Sequence, residues 1–125
     1  MSEETPLWFP INQIPGFAEC IEYYVSQEGE VMSFKKSRYG QKLKKRFGKF
    51  GSPGVWIMNR LGNRRPRYAT LSHLVAQAFL GPPPRPLGRG NGFCSVTYKD
   101  GDISNVHVSN LEYRINGEKN AKPSL

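Results

Sequence analysis

The sequence predicts an α+β fold: a small antiparallel sheet, one clear helix and a short C-terminal hairpin. Three observations carry this. Tyr23-Tyr24-Val25-Ser26 and Val31-Met32-Ser33-Phe34 bracket the Gly-containing link Gln27-Glu28-Gly29-Glu30, the pattern of a β-hairpin. Leu71, Leu74, Val75, Ala78 and Phe79 recur at helical spacing and make one apolar face. Cys94-Ser95-Val96-Thr97-Tyr98 alternates as a strand does and meets a turn at Lys99-Asp100-Gly101-Asp102.

In chain order, residues 1–7 read as a disordered lead-in. Trp8-Phe9-Pro10 and Ile14-Pro15-Gly16-Phe17 read as an ordered loop pinned by aromatics. After the first hairpin, residues 35–49 hold eight Lys or Arg interleaved with Tyr39 and Phe47. That run is too polar for a core and is expected as an extended arm or loop. Strands follow at Val55-Trp56-Ile57-Met58 and Tyr68-Ala69-Thr70, with Arg60, Arg64, Arg65 and Arg67 in the connection. The helix runs over 71–80, with Thr70 as its cap and Gly81-Pro82-Pro83-Pro84 as its stop. Residues 82–92 form a Pro/Gly/Arg loop holding Arg85 and Arg89. The stretch 106–113 is expected to be short and irregular, and Asn116-Gly117-Glu118 a turn or the start of a last helical turn. Trp8, Trp56 and Tyr113 are assigned to the core, with base-stacking platforms as the alternative.

A chain of 125 residues supplies one domain's core, and 13 Gly with 10 Pro imply many turns. The expected organisation is one compact unit: a binding module over 1–80, a linker loop over 81–93 and a terminal segment over 94–125. No apolar run reaches the roughly 18 residues that a membrane helix needs, so no membrane partner is expected. The polar start Met1-Ser2-Glu3-Glu4-Thr5 lacks the features of a secretory signal. Cys20 and Cys94 are too few for a disulfide framework and lack zinc-ligand spacing, which suits reduced thiols in a cytoplasmic setting.

Charge is unevenly placed. The net value is +8, yet six of the ten acids lie before residue 31 and the other four at or beyond Asp100. From Val31 to Lys99 there are fifteen Lys or Arg and no acid. Such a surface seeks phosphates, whose neutralisation releases condensed counterions. The expected nucleic-acid contacts are Lys35, Lys36, Arg38, Lys42, Lys44, Lys45, Arg46, Lys49, Arg60, Arg64, Arg65, Arg67, Arg85 and Arg89. Duplex DNA is the leading partner. RNA or a host or phage protein is the alternative. Tyr39 and Phe47 are either stacking platforms for unpaired bases or plain surface aromatics.

Two segments together resemble the phage and intron homing endonucleases that join a NUMOD4-type module to an HNH nuclease motif. The first, over 8–80, has the aromatic-Pro-Ile start, Tyr23-Tyr24-Val25-Ser26 with Gly29-Glu30-Val31-Met32-Ser33, and Ser72-His73-Leu74-Val75-Ala76-Gln77-Ala78-Phe79. The family usually has His-Arg-Leu-Val-Ala-x-Ala-Phe there, so the histidine is shifted by one position. The second, over 96–120, has Val96-Thr97-Tyr98-Lys99-Asp100-Gly101-Asp102, Asn105, Asn110-Leu111-Glu112-Tyr113 and Glu118-Lys119-Asn120. The resemblance implies a ββα-metal-like hairpin at the C-terminal end, a DNA partner, and a phage or mobile-element origin.

It also implies a degenerate site. In the family a histidine activates water, an adjacent Asp and a late Asn or His hold one divalent metal, and a middle Asn orients the histidine. Thr97 stands in the place of the Asp and Tyr98 in that of the histidine, while Asn110 keeps the middle position and Asn120 is displaced by one. Tyrosine, which ionises near about 10 in model peptides, is a feeble base at neutrality. The expectation is a DNA-binding protein without cleavage, with no catalytic residue and no cofactor. The runner-up is an active endonuclease in which His107 and Asn110 serve catalysis and Asp100, Asp102 or Asn120 holds magnesium or manganese. His73 is either a packing residue or a phosphate contact. Asp100 and Asp102 otherwise simply make a turn.

Overall fold

The computed structural model describes residues 7–35, 38–48, 52–59 and 65–117. Lys36, Lys49, Arg60, Arg64 and Asn120, named above, lie outside them. The order of elements is β1 (Trp8–Pro10), a 3-10 turn (Ile11–Gln13), β2 (Tyr23–Ser26), β3 (Val31–Ser33), β4 (Gln41–Lys42), β5 (Arg46–Phe47), β6 (Pro53–Met58), β7 (Pro66–Thr70), α1 (Leu71–Phe79), β8 (Cys94–Tyr98), a second 3-10 turn (Val108–Asn110) and β9 (Leu111–Ile115). The strands form three sheets, ordered β1-β2-β3-β4, β5-β6-β7 and β8-β9, and every pairing is antiparallel. The fold is α+β.

The β2–β3 turn closes on Gly29, whose φ of 85° is left-handed backbone that glycine adopts without steric cost. The Ser26 hydroxyl accepts from the Glu28 and Glu30 amides at 3.2 and 3.1 Å, tying the turn to its own strand. Gly29 is also needed for space, because a Cβ there would collide with the Val106 side chain. The Val108 amide donates to the Gln27 carbonyl at 2.9 Å, so the first hairpin docks on the C-terminal loop.

Register decides what is buried. Phe9, Val25 and Val31 are successive partners across β1–β3, and both valines are buried. Pro10, Tyr24, Met32 and Lys42 form the neighbouring row and therefore face outward. On β6, Val55 and Ile57 are 1% exposed while Trp56 between them is 55% exposed. Against both sheets lies α1, with Leu71, Leu74 and Val75 fully buried. Phe79 meets Phe9 edge-on, with 6.1 Å between ring centroids. Ile11, Ile14, Val106 and Leu111 join the same core, so it draws on both ends of the described chain.

Five expectations need correction. Residues 8–10 are a strand, because β2 offers them a full set of backbone partners; Pro10 is tolerated there because β1 lies at the sheet edge. The basic arm is stitched down by β4 and β5, which satisfy backbone groups at two sheet edges while their side chains stay exposed. Thr70 occupies the cap position in extended conformation but makes no side-chain cap bond. Residues 106–113 contain a 3-10 turn and the start of β9, a full partner of β8. Trp8 and Trp56 lie outside the core cluster, whereas Tyr113 packs against it.

Candidate nucleic-acid interface

The outward row of the second sheet is aromatic and basic. Arg46 on β5, Gly54 and Trp56 on β6, and Tyr68 and Thr70 on β7 share one face through the pairings Arg46↔Gly54, Gly54↔Thr70 and Trp56↔Tyr68. The rings of Trp56 and Tyr68 meet edge-on at 5.4 Å. Gly54 lets Tyr68 lie flat across the strand, since a Cβ at that position would strike the Tyr68 ring. The Tyr68 hydroxyl lies 3.1 and 3.2 Å from the Ser52 and Arg46 carbonyls and donates to one or the other, locking the ring. Phe47, 65% exposed, pairs with Pro53 and so belongs to the opposite face of its strand from Arg46. A lone exposed tryptophan is ordinary on a protein surface, but here it is paired with Tyr68 and shares its face with Arg46.

Sequence-selected cations divide into groups. Lys35, Arg38, Lys42, Lys44 and Arg46 are exposed along the arm. Lys42 and Lys45 stand 3.9 and 4.0 Å from Glu30, exposed pairs that contribute little and exchange readily for phosphate. Arg67 is committed inward: its Nη1 donates to the Gly16 carbonyl at 2.7 Å and its guanidinium covers the Phe17 ring at 4.2 Å. Arg85 reaches the Gly92 carbonyl at 3.5 Å. Arg65 and Arg89 are exposed.

Residues 94–115 build the hairpin in which the nuclease resemblance lies. Tyr98 pairs with Leu111 and packs against the core, and Thr97 pairs with Glu112, whose carbonyl accepts from the Thr97 hydroxyl at 3.4 Å. Asn110 is buried, and each polar atom of its side chain is used. Its amide donates to Asp100 Oδ1 and to the Asn105 carbonyl, both at 2.9 Å, and its Oδ1 accepts from the Asp100 amide at 3.0 Å. The Asp100 carboxylate also accepts from the Asp102 amide at 2.8 Å and the Asn105 side chain at 2.9 Å. The Asn105 side chain, the Asp102 amide and Asn110 together hold the Asp100 carboxyl below its usual range. Asp102 Oδ1 accepts from the Ser104 amide and hydroxyl. His107 accepts the Ser109 amide on Nδ1 at 3.1 Å, capping the short turn.

This is the hydrogen-bond pattern of a self-satisfied loop. Thr97 contributes a neutral hydroxyl, Tyr98 a ring packed on the core, and Asp100 a carboxylate whose two oxygens already accept three N–H groups. These residues do not fit a divalent metal at that position. Among the described residues no three His, Cys, Asp or Glu side chains converge at metal-binding distance.

His73 lines a groove of about 530 Å³ between the start of α1 and β8, together with Thr70, Ser72, Arg89, Ser95 and Tyr98. Burial pushes its imidazole below the usual histidine value, so it is neutral at pH 7. The unfolded chain therefore takes up protons first: the His73 contribution to stability is complete above about pH 6.5 and is lost as pH falls through the lower folded value. The denaturation midpoint is expected to drop on acidification from about pH 7.5 to about pH 5, and His73→Gln to flatten that slope. Equal slopes in the two proteins would contradict this.

The chain is similar to the HNH homing endonuclease I-HmuI, solved in a study of its DNA binding and cleavage, at 26% identity and a TM-score of 0.59. The fold is HNH-like. The match covers 87% of this chain and 52% of the endonuclease, so the chain spans about half of that protein's length. No family model and no curated protein matches the chain. The outward Trp56 was missed in the sequence, although Val55 and Ile57, one residue to either side, mark it by simple alternation.

Proposed function

We propose that this chain binds duplex DNA through the Arg46–Trp56–Tyr68 face and the basic arm, and that its HNH-like hairpin serves as scaffold without cutting. The observation that carries the reading is the exposed, locked Trp56 beside cationic side chains in an HNH-like fold. On this reading Lys35, Arg38, Lys42, Lys44, Lys45 and Arg46 grip phosphates, and Trp56 lies in a groove against base edges. Arg67 serves the fold instead. The saturated Asp100–Asn110 network and the core-packed Tyr98 support absence of cleavage. The resemblance to a NUMOD4-type module and to phage proteins belongs to the same proposal.

Duplex DNA is expected to quench tryptophan fluorescence of the wild type, and Trp56→Ala to bind at least tenfold more weakly. Stability should change by less than about 0.5 kcal/mol, as for an exposed site. Unchanged affinity in a folded Trp56→Ala protein would remove this face from the interface.

A further inference from the structure

A concavity of about 480 Å³ opens on the outer face of the β1–β4 sheet, lined by Trp8, Glu22, Tyr24, Met32 and Phe34. Tyr24 and Met32 are cross-strand partners on the outward row. Phe34 stands at 90° to Tyr24 with 5.6 Å between centroids. Its wall is fixed from behind: a Cβ on Gly40 would lie 2.9 Å from the Phe34 ring and 3.0 Å from Met32. Three aromatics and a methionine on a solvent-facing sheet face take no part in the core cluster.

The chemistry at the rim selects the occupant. Lys35 follows Phe34, Arg38 precedes Gly40 by two residues, and Lys42 is the register partner of Met32 on the same outward row. The arm then continues directly through Lys44, Lys45 and Arg46 to the edge of the second sheet. A ligand must therefore be planar and apolar at its centre and anionic at its edge. Glu22 is the one carboxylate in the lining, against the three cations Lys35, Arg38 and Lys42 that flank its residues in sequence and register, so the balance of charge there is positive. We propose that this concavity takes one unpaired nucleobase from a single-stranded segment flanking the duplex, stacked on Tyr24 and Phe34, with its phosphates on Lys35, Arg38 and Lys42. The proposal deepens the nucleic-acid reading and rests on it.

The test titrates the full chain with a blunt duplex, the same duplex carrying a short single-stranded extension that contains 2-aminopurine, and the same extension with that base removed. The base-bearing extension is expected to tighten binding on the order of tenfold and to quench 2-aminopurine by stacking. Phe34→Ala should bring the extended DNA down to blunt-duplex affinity while leaving the blunt duplex unaffected, and Phe34→Tyr should retain the gain. An extension that adds nothing, or an abasic one that adds as much, overturns the proposal. So does tetramethylammonium chloride abolishing the quench where sodium chloride at equal concentration leaves it intact, which would assign the concavity to a cation. Quenching of the single-stranded extension without any blunt-duplex binding would support the pocket and sink the duplex reading.

Discussion

Affinity for duplex DNA is expected to fall by roughly a thousandfold between about 50 and about 200 mM salt. The basis is the arm, where Lys35, Arg38, Lys42, Lys44, Lys45 and Arg46 gather six cations, two of which stand near the Glu30 carboxylate. If these contact about six phosphates, the logarithm of affinity falls with a slope near −5 against the logarithm of salt concentration. Replacing Lys44, Lys45 and Arg46 together by Gln should weaken binding to all sequences about equally and reduce that slope by about three. Selective loss for one sequence would instead put these side chains at base edges. A flat salt response would exclude the phosphate grip altogether.

The second large effect is on stability. Asn110→Ala removes the partner of the Asp100 amide, of the Asn105 carbonyl and of one Asp100 carboxylate oxygen at once. Three hydrogen bonds of a buried amide are lost, each worth about 1 kcal/mol net, while the exposed Asp100 groups are re-solvated by water, so a loss of about 2–3 kcal/mol is expected. That corresponds to a melting temperature lower by roughly 5–10 °C for a chain of this size. Asn110→Asp should be nearly as damaging, because it turns two donors into acceptors beside the Asp100 carboxylate. A variant that melts like the wild type would show that the loop is held by something other than this amide.

The parts of the fold that were legible in the sequence are those where one periodicity acts alone. The α1 face of Leu71, Leu74 and Val75 and the strand Cys94–Tyr98 announce themselves because each buries a single side. Elements held by backbone pairing were hidden. β1, β4 and β5 are two or three residues long, and their side chains carry no alternation; only the neighbouring edge defines them. β9 was hidden for another reason: its exposed Glu112 and Arg114 look irregular until Leu111 and its pairing with Tyr98 fix the register.

The site was legible in charge but not in geometry. The acid-free stretch marks the cationic surface directly. That Arg67 is spent on Gly16 and Phe17 depends on a contact between residues far apart in sequence. Trp56 was assigned to the core on residue type, and alternation with Val55 and Ile57 overrules that preference. The Asp100–Asn105–Asn110 network was partly foreshadowed by turn chemistry, since Asp before Gly commonly bonds its own backbone. Its closure by a buried amide arises only once β8 and β9 are paired.

Binding without cutting is read in a single assay. Supercoiled plasmid is incubated with the protein at low salt in magnesium or manganese, and each sample is run before and after the protein is stripped off. Retardation before stripping, with intact supercoiled DNA afterwards, is the expected result. Nicked or linear DNA that disappears with His107→Ala would contradict it and assign the hairpin a working nuclease site.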